Sequence, residues 1–516
     1  MDFNENDISQ IREKGITPEK VQEQIEIFKR GNEAVNIIEA ATVRNGILQL
    51  SEEEKQRLIA LYDSKREELD ILNFIPASGA ATRMFKSLYK FVQDYNPQEE
   101  DVDDYVERQN DPKLESFFAR MKDLPFYDEV QNQIHHYHPK FDELTENKQQ
   151  LILVRTMLEE EGLNLGEQPK GLVPFHKYDE SSATSFEEHL REAVDYAASK
   201  DKVRIHFTVS EEHREKFEAE ARRIRTDLEK ETGVTYHISY SYQDPKTDTL
   251  AVTRENEPFR DENGNMFFRP GGHGALINNL NQQDADLIFI KNIDNVVIPK
   301  NRQTLAENKK ILAGKLLELQ EKTFGYLKKL EAEVSEEELS EMGEFLQKKL
   351  NSGLDIKFEE LQKGEKTGTL KKLLDRPIRI CGMVRNEGEP GGGPFWVEHK
   401  NGEISLQIVE SAQIDHNNYQ QSKISQEATH FNPVDVICAF KDYKGEKFDL
   451  LKYVDEDTFF IANKTKDGKD LKALELPGLW NGAMARWISI FVEVPVETFN
   501  PVKTVADLLK SSHQVK

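Results

Sequence analysis

Leu72-Asn73-Phe74-Ile75-Pro76-Ala77-Ser78-Gly79-Ala80-Ala81-Thr82-Arg83-Met84-Phe85-Lys86 joins a short apolar run to a loop of small side chains that ends on cations. An apolar run feeding small residues reads as a buried strand turning into a helix, and unshielded backbone N–H groups at such a helix start can approach an anion closely. Arg83 and Lys86 supply charge that the loop itself lacks, and an arginine fork matches phosphate oxygens. The same pattern suits a plain strand-to-helix connection packed tightly by small residues, and this loop alone weighs equally for both. It is neither of two familiar phosphate loops. There is no Gly-x-x-x-x-Gly-Lys-Ser/Thr, and one glycine stands where the dinucleotide fingerprint has three.

Downstream, Val203, Ile205, Phe207 and Val209 alternate as a half-buried strand, and Val234, Tyr236, Ile238, Tyr240 and Tyr242 do so again. Leu287 to Ile290 is continuously apolar, as a strand covered on both faces should be. Helical patterns separate these runs, so strands and helices take turns and the chain reads as α/β. Residues 1–70 read as helical, with Thr17 before Pro18 and a Ser51/Glu54 capping box as start signals. Ser185 with Glu188 reads as a further cap. Charge-rich helical insertions are expected at about 95–165, looped out on the surface, and at 301–375, with the sheet resuming in 376–516.

The 516 residues allow two to four core-forming units at roughly 150 residues each. A hydrophobic fraction of 37% beside 32% charged residues suits a globular protein rich in helix surface. No apolar run approaches the roughly 18 residues of a membrane span, and the acidic start at Met1-Asp2 does not read as a secretory signal. The net charge of −25 argues against a nucleic-acid partner while leaving room for a locally basic pocket. Cys381 and Cys438 lack zinc spacing and read as reduced core residues of a cytoplasmic protein. His135, His136 and His138 form a cluster without accompanying ligand spacing, and Asp284-Ala285-Asp286 reads as a solvated turn.

Ser78-Gly79-Ala80-Ala81-Thr82-Arg83-Met84 resembles the Gly-Gly-x-Gly-Thr-Arg-Leu/Met signature of nucleotidyltransferases that make nucleotide sugars, with Ser78 and Ala81 in place of glycines. Pro169-Lys170-Gly171-Leu172-Val173-Pro174 is similar to their Pro-Lys-x-Leu-x-Pro segment. Pro270-Gly271-Gly272-His273-Gly274-Ala275 and Phe289-Ile290-Lys291-Asn292-Ile293-Asp294-Asn295 resemble segments of UTP-glucose-1-phosphate uridylyltransferases and other UDP-sugar pyrophosphorylases, with Ala275 where those enzymes have aspartate. Gly391 to Phe395, Asn401 to Gln413, His430-Phe431-Asn432 and Phe499 to Leu509 resemble later segments in the same order.

The resemblance implies a nucleotide-diphospho-sugar transferase fold of the GT-A, Rossmann-like kind: a mixed sheet flanked by helices, its nucleotide-binding part in 71–300 and its sugar-phosphate part in 376–516. It also implies a substrate pair, UTP or another NTP with a sugar 1-phosphate, and Mg²⁺ as cofactor. Carried over by position, Arg83, Lys170 and Lys503 would handle the reacting phosphates and Asp294 the metal. Ala77, Ser78, Gly79, Ala80, Ala81 and Thr82 would cradle the triphosphate, and Gln243, Gly272 and His273 would meet the nucleotide. Gly393, Glu410 and Asn432 would bind the sugar phosphate. The competing reading is a non-catalytic nucleotide-sugar-binding or regulatory protein of the same fold. The replaced glycines and Ala275 favour it, and the retained charges at Arg83, Lys170, Asp294 and Lys503 oppose it.

Overall fold

A computed structural model describes residues 3–352, 358–389, 391–431, 435–466 and 468–515. The chain folds as two compact units, each assembled from separated segments. Met1–Phe74, Ser241–Ile290 and Lys309–Val496 make the first, and Ile75–Tyr240, Lys291–Asn308 and Glu497–Lys516 the second.

The first unit is built on a mixed sheet. Strand Gly46–Leu48 runs parallel to Ile488–Glu493, which runs parallel to Ile378–Met383. Asp435–Ala439 then runs antiparallel both to that strand and to Leu287–Ile290. Leu287 pairs in parallel with Ile71 and Ile290 with Phe74. Leu287 to Ile290 are all buried, in keeping with the unbroken apolar run. A three-stranded sheet of Ile37–Ala40, Gly393–Glu398 and Ile404–Val409 belongs to the same unit. So does a smaller antiparallel sheet containing Thr249–Val252 and Lys469–Glu475, against which Ile11, Val21, Ile25 and Phe28 of the two N-terminal helices pack.

The all-helical expectation for residues 1–70 fails at 37–48. Ile37, Ile38, Thr42, Val43 and Ile47 are β-branched and fall in short strands, turned at Arg44 and Gly46 with φ of 74° and 95°. Asp286 is a lattice point of the fold and not a solvated turn: it accepts the Asp70 N–H at 2.9 Å, and Lys441 reaches both Asp284 and Asp286 at 2.9 Å.

In the second unit, strands Lys202–Thr208 and Thr235–Ser241 pair, with helices Ser185–Ala197 and Arg214–Thr232 between and before them in the chain. Residues 95–165 are helical, as expected, but they are not looped out on the surface. Phe91, Tyr105, Phe117, Phe126, Val130 and Val154 are buried in one core, which also takes Val173, Val296, Val502, Val505 and Leu508. Arg120 Nη1 ties this region to the Leu509 carbonyl at 2.6 Å. The helical segment therefore supports the loops at 165–175, 293–296 and 500–509, all of which carry candidate residues. His135 stacks edge-on against Phe141 and lies beside the Gln131 carbonyl, a packing role.

Candidate active site

Strand Ile71–Pro76 leads into the small-residue loop, but no α-helix begins directly at the loop. A 3₁₀ turn covers Ala81–Arg83 and the α-helix starts at Lys86. The loop is held by backbone hydrogen bonds to the Pro-Lys turn: Ala81 N–H donates to the Gln168 carbonyl at 3.0 Å, and Lys170 N–H to the Gly79 carbonyl at 3.0 Å. Thr82 Oγ1 donates to the Gly166 carbonyl at 3.1 Å, and Ser210 Oγ to the Ser78 carbonyl at 3.2 Å. Ala77 N–H is engaged by the Thr208 carbonyl. The expectation of unshielded N–H groups is corrected at two positions: the N–H groups of Ala77 and Ala81 are spent on the fold, because two distant segments pair with the loop and claim them. Gly79 and Ala80 are exposed at its crest, and nothing would meet a side chain added at Gly79.

The pairing with Gly79 and Ala81 fixes the Pro-Lys turn, and Lys170 Nζ reaches Asp294 Oδ2 at 2.7 Å. Both side chains are mostly covered, with 16% and 20% of their surface exposed. Among the described residues Asp294 Oδ1 has no hydrogen-bond partner. Gly171 lies so close to the same loop that an added Cβ would sit 3.0 Å from Ile293 Cγ1.

The Asp294 loop is pinned from two directions. Val502 N–H donates to the Asp294 carbonyl at 3.1 Å, and Asn500 N–H to Asn295 Oδ1 at 2.8 Å. This seats the segment that carries Lys503, whose side chain is exposed. Thr504 and Asp507 cap the following turn. Burial opposes ionisation of Asp507, but the Lys510 ammonium and the Thr504 N–H outweigh it and hold the carboxyl below its usual range. Val505 N–H closes the circuit by donating to the Met84 carbonyl at 3.0 Å, beside exposed Arg83.

From the other side, helix Ser185–Ala197 presents Ser185, His189 and Glu192 at a spacing of one or two turns. Ser185 Oγ donates to the Ile293 carbonyl, and His189 Nε2 lies 3.1 Å from the same oxygen. Glu192 takes Lys291 Nζ at 2.7 and 2.9 Å, with both side chains buried. The expected Ser185/Glu188 cap is not formed. Thr184 caps the helix by accepting the Glu187 N–H, which frees Ser185 for Ile293 and Glu188 for His176 and Tyr178. Sequence reasoning missed Glu192; a polar stripe at positions 185, 189 and 192 of an otherwise buried helix was the available signal.

The second unit therefore brings together the loop Ser78–Arg83, Lys170, Asp294 and the Lys503 segment. The remaining candidates belong to the first unit. Gln243 Nε2 donates to the Gly272 carbonyl at 3.1 Å, and the His273 ring packs edge-on against Trp480 at 4.0 Å between centroids. Ala275 is wholly buried. Gly393 opens its strand, with the His430 carbonyl 3.0 Å from where a Cβ would stand. Glu410 and Gln413 cap one turn reciprocally. Asn432 lies outside the described residues.

Residues 4–514 match the family described as a domain of unknown function, DUF4301. The chain belongs to the DUF4301 family. No curated protein matches the sequence of this DUF4301 chain. Among solved structures it is similar to UDP-N-acetylglucosamine pyrophosphorylase from Trypanosoma brucei in complex with an inhibitor, at 11% identity and a TM-score of 0.46 over 95% of this chain and 74% of that one. It is also similar to a mutant UDP-glucose pyrophosphorylase from Leishmania major in complex with UDP-glucose, at 12% identity and a TM-score of 0.41 over 98% and 79%. No helix among the described residues of the DUF4301 chain is long and apolar enough to cross a membrane.

Proposed function

We propose that the protein is a nucleotidyltransferase that forms a nucleotide sugar from UTP, or another NTP, and a sugar 1-phosphate. The observation that carries this reading is the Lys170–Asp294 pair at 2.7 Å, held against the Ser78–Arg83 loop by Lys170 N–H on Gly79 and against the Lys503 segment by Val502 N–H on Asp294. Four sequence-distant charged residues on interlocked loops suit a polyphosphate, whose transfer chemistry asks for alignment and charge neutralisation.

In the proposed reaction a phosphate oxygen of the sugar 1-phosphate attacks the α-phosphorus in line. The new P–O bond forms as the α–β bridging bond breaks, and the electron pair leaves with pyrophosphate. Lys170 exchanges the Asp294 carboxylate for phosphate oxygens, while Arg83 and Lys503 neutralise charge from the exposed side of the loops. Gln243, Gly272 and His273 are assigned to the nucleotide, and Gly393, Glu410 and Asn432 to the sugar phosphate.

Among the described residues no three acidic, histidine or cysteine side chains cluster as a ligand set. A single carboxylate with one unengaged oxygen nonetheless fits Mg²⁺, which is commonly bound by one or two carboxylates with substrate phosphates and water. Asp294 would hold the ion, and bound Mg²⁺ would supply positive charge to the triphosphate oxygens. The test is pyrophosphate release from UTP and other NTPs against a panel of sugar 1-phosphates with Mg²⁺. Sugar-dependent release supports the reading. Binding of NTP without release with any sugar would instead make the protein a non-catalytic binder.

A further inference from the structure

A cavity of about 900 Å³ lies wholly within the first unit. Its wall includes Asp375 and Arg376 just ahead of strand Ile378–Met383, and Ile488 and Ser489 at the start of the parallel strand Ile488–Glu493. Gln407 and Ile408 of Ile404–Val409 face it from the three-stranded sheet. It thus opens at the edge of the sheet where these parallel strands begin. Open α/β sheets place their main ligands at the other edge, beyond the strands' carboxyl ends. None of the residues assigned above to nucleotide, sugar phosphate or metal lines it. At this volume it is of small-molecule size.

Acidic and basic residues are equally represented on the wall, but they are not equally engaged. Lys400 takes Glu33 at 2.6 Å and Asp457 at 3.1 Å, Arg376 lies 3.6 Å from Glu403, and Asn36 donates to Glu398 at 2.9 Å. Burial raises the pKa of Asp375 and so favours its neutral form. By contrast Lys372, Lys452 and Arg486 are exposed on the rim with no side-chain hydrogen bond or ion pair among the described residues.

Deeper in and behind the wall, two buried donors lack an acceptor, beside one buried acceptor without a donor, Asp375 Oδ1. Trp487 is 4% exposed and its indole N–H has no acceptor. Behind Ser489, the fully buried Arg379 donates from Nε to Ser489 Oγ at 2.7 Å and from Nη1 to the Trp480 carbonyl at 2.8 Å. Its Nη2 is left without an acceptor. Buried donors and loose cations together call for a ligand rich in acceptor oxygens and negative charge. The chain as a whole carries −25, so a nucleic-acid polymer is disfavoured.

We propose that this cavity is a second ligand site, which takes a phosphorylated small molecule through Lys372, Lys452 and Arg486 on the rim and Trp487 in the wall. It is independent of the nucleotidyl-transfer reading, since none of the residues assigned there lines the cavity. The test uses the full chain, titrated calorimetrically with inorganic phosphate, pyrophosphate, glucose 1-phosphate and UMP, with succinate as a non-phosphorylated dianion, while tryptophan emission is recorded. At least one phosphorylated probe should bind and change the emission. The double variant Lys452→Gln/Arg486→Gln, verified as folded by circular dichroism, should weaken that binding by about tenfold or more, and Trp487→Phe should abolish the emission change. Binding should persist in Lys170→Ala/Asp294→Ala, neither of which lines the cavity, and should be weakened there too when Lys452→Gln/Arg486→Gln is added, which separates this site from the proposed active site. The proposal fails if no phosphorylated probe binds Lys170→Ala/Asp294→Ala, if the double glutamine variant binds as wild type, or if succinate binds as tightly as the phosphorylated probes.

Discussion

Lys170 and Asp294 neutralise each other at 2.7 Å, and with 16% and 20% of their side chains exposed they are partly open to water. The cost of breaking a pair this well covered falls between the roughly 0–1 kcal/mol of an exposed pair and the roughly 3–5 kcal/mol of a fully buried one. In the proposed reaction the same groups act on charge that develops in the transition state, where one donor is worth about 100-fold or more in turnover. Lys170→Ala and Asp294→Ala should therefore each lower kcat by at least about 100-fold while lowering urea-unfolding stability by less than the roughly 3–5 kcal/mol of a fully buried pair. Near-wild-type turnover in both would end the assignment, and a large stability loss with intact turnover would make the pair structural. Both residues were legible in the sequence because a short motif carries the residue type, its neighbours and its order along the chain. The engaged N–H groups of Ala77 and Ala81 were not: their partners, Thr208 and Gln168, are far along the chain, and small side chains look the same whether their backbone is open or paired.

Local signals were the reliable ones at the level of helices and strands. Thr17 and Ser51 cap helices as read, because the capping hydroxyl and the N–H that donates to it are three residues apart. The cap at Ser185 was misplaced by one residue because Thr184 offers the same hydroxyl, and only the Ile293 carbonyl explains which of the two faces inward. The helices within 102–158 were legible as helices, but their burial against Val502 and Val505 was not, since amphipathic spacing does not name the surface a helix meets. Helix Ser185–Ala197 yields a sharp prediction. Glu192→Gln leaves the Lys291 ammonium, 1% exposed, without its counter-charge, and removing one member of a buried pair costs about 3–5 kcal/mol. Chemical denaturation should show a loss of that order. The double variant Glu192→Met/Lys291→Met should recover most of it, because no charge is then left stranded. If the double variant is no more stable than Glu192→Gln, the helix holds the Asp294 loop through packing and the Ser185 and His189 contacts, not through the ion pair.

Across the whole molecule, histidines held neutral make folding sensitive to acid: His273 and His430 in the first unit, and the buried pair His206 and His513 in the second. His513, near the end of the described chain, is 1% exposed and lies 3.1 Å from His176 Nε2. Burial, reinforced by the neighbouring His176, lowers its pKa from 6.5 to about 3. Burial alone lowers His206 from 6.5 to about 4. In the unfolded chain both take up a proton as pH falls through 6.5, whereas in the folded chain neither does until far lower pH. The unfolded state therefore binds more protons in this window, and stability drops as pH falls. The contribution is fully present above about pH 6.5 and is lost progressively down to about pH 4 for His206 and about pH 3 for His513. Each group adds a slope of about 1.4 kcal/mol per pH unit once the unfolded state is protonated, so the pair adds about 2.7 kcal/mol per unit near pH 5. Asp507, whose carboxyl is held low, adds its own loss only below the normal carboxylate range. Urea unfolding followed from pH 7.5 to about pH 4.5 should thus steepen below about pH 6.5, and His513→Gln should remove one group's share of that slope, about 1.4 kcal/mol per pH unit. A flat profile across this range would mean that both histidines titrate in the folded protein as they do in the unfolded chain.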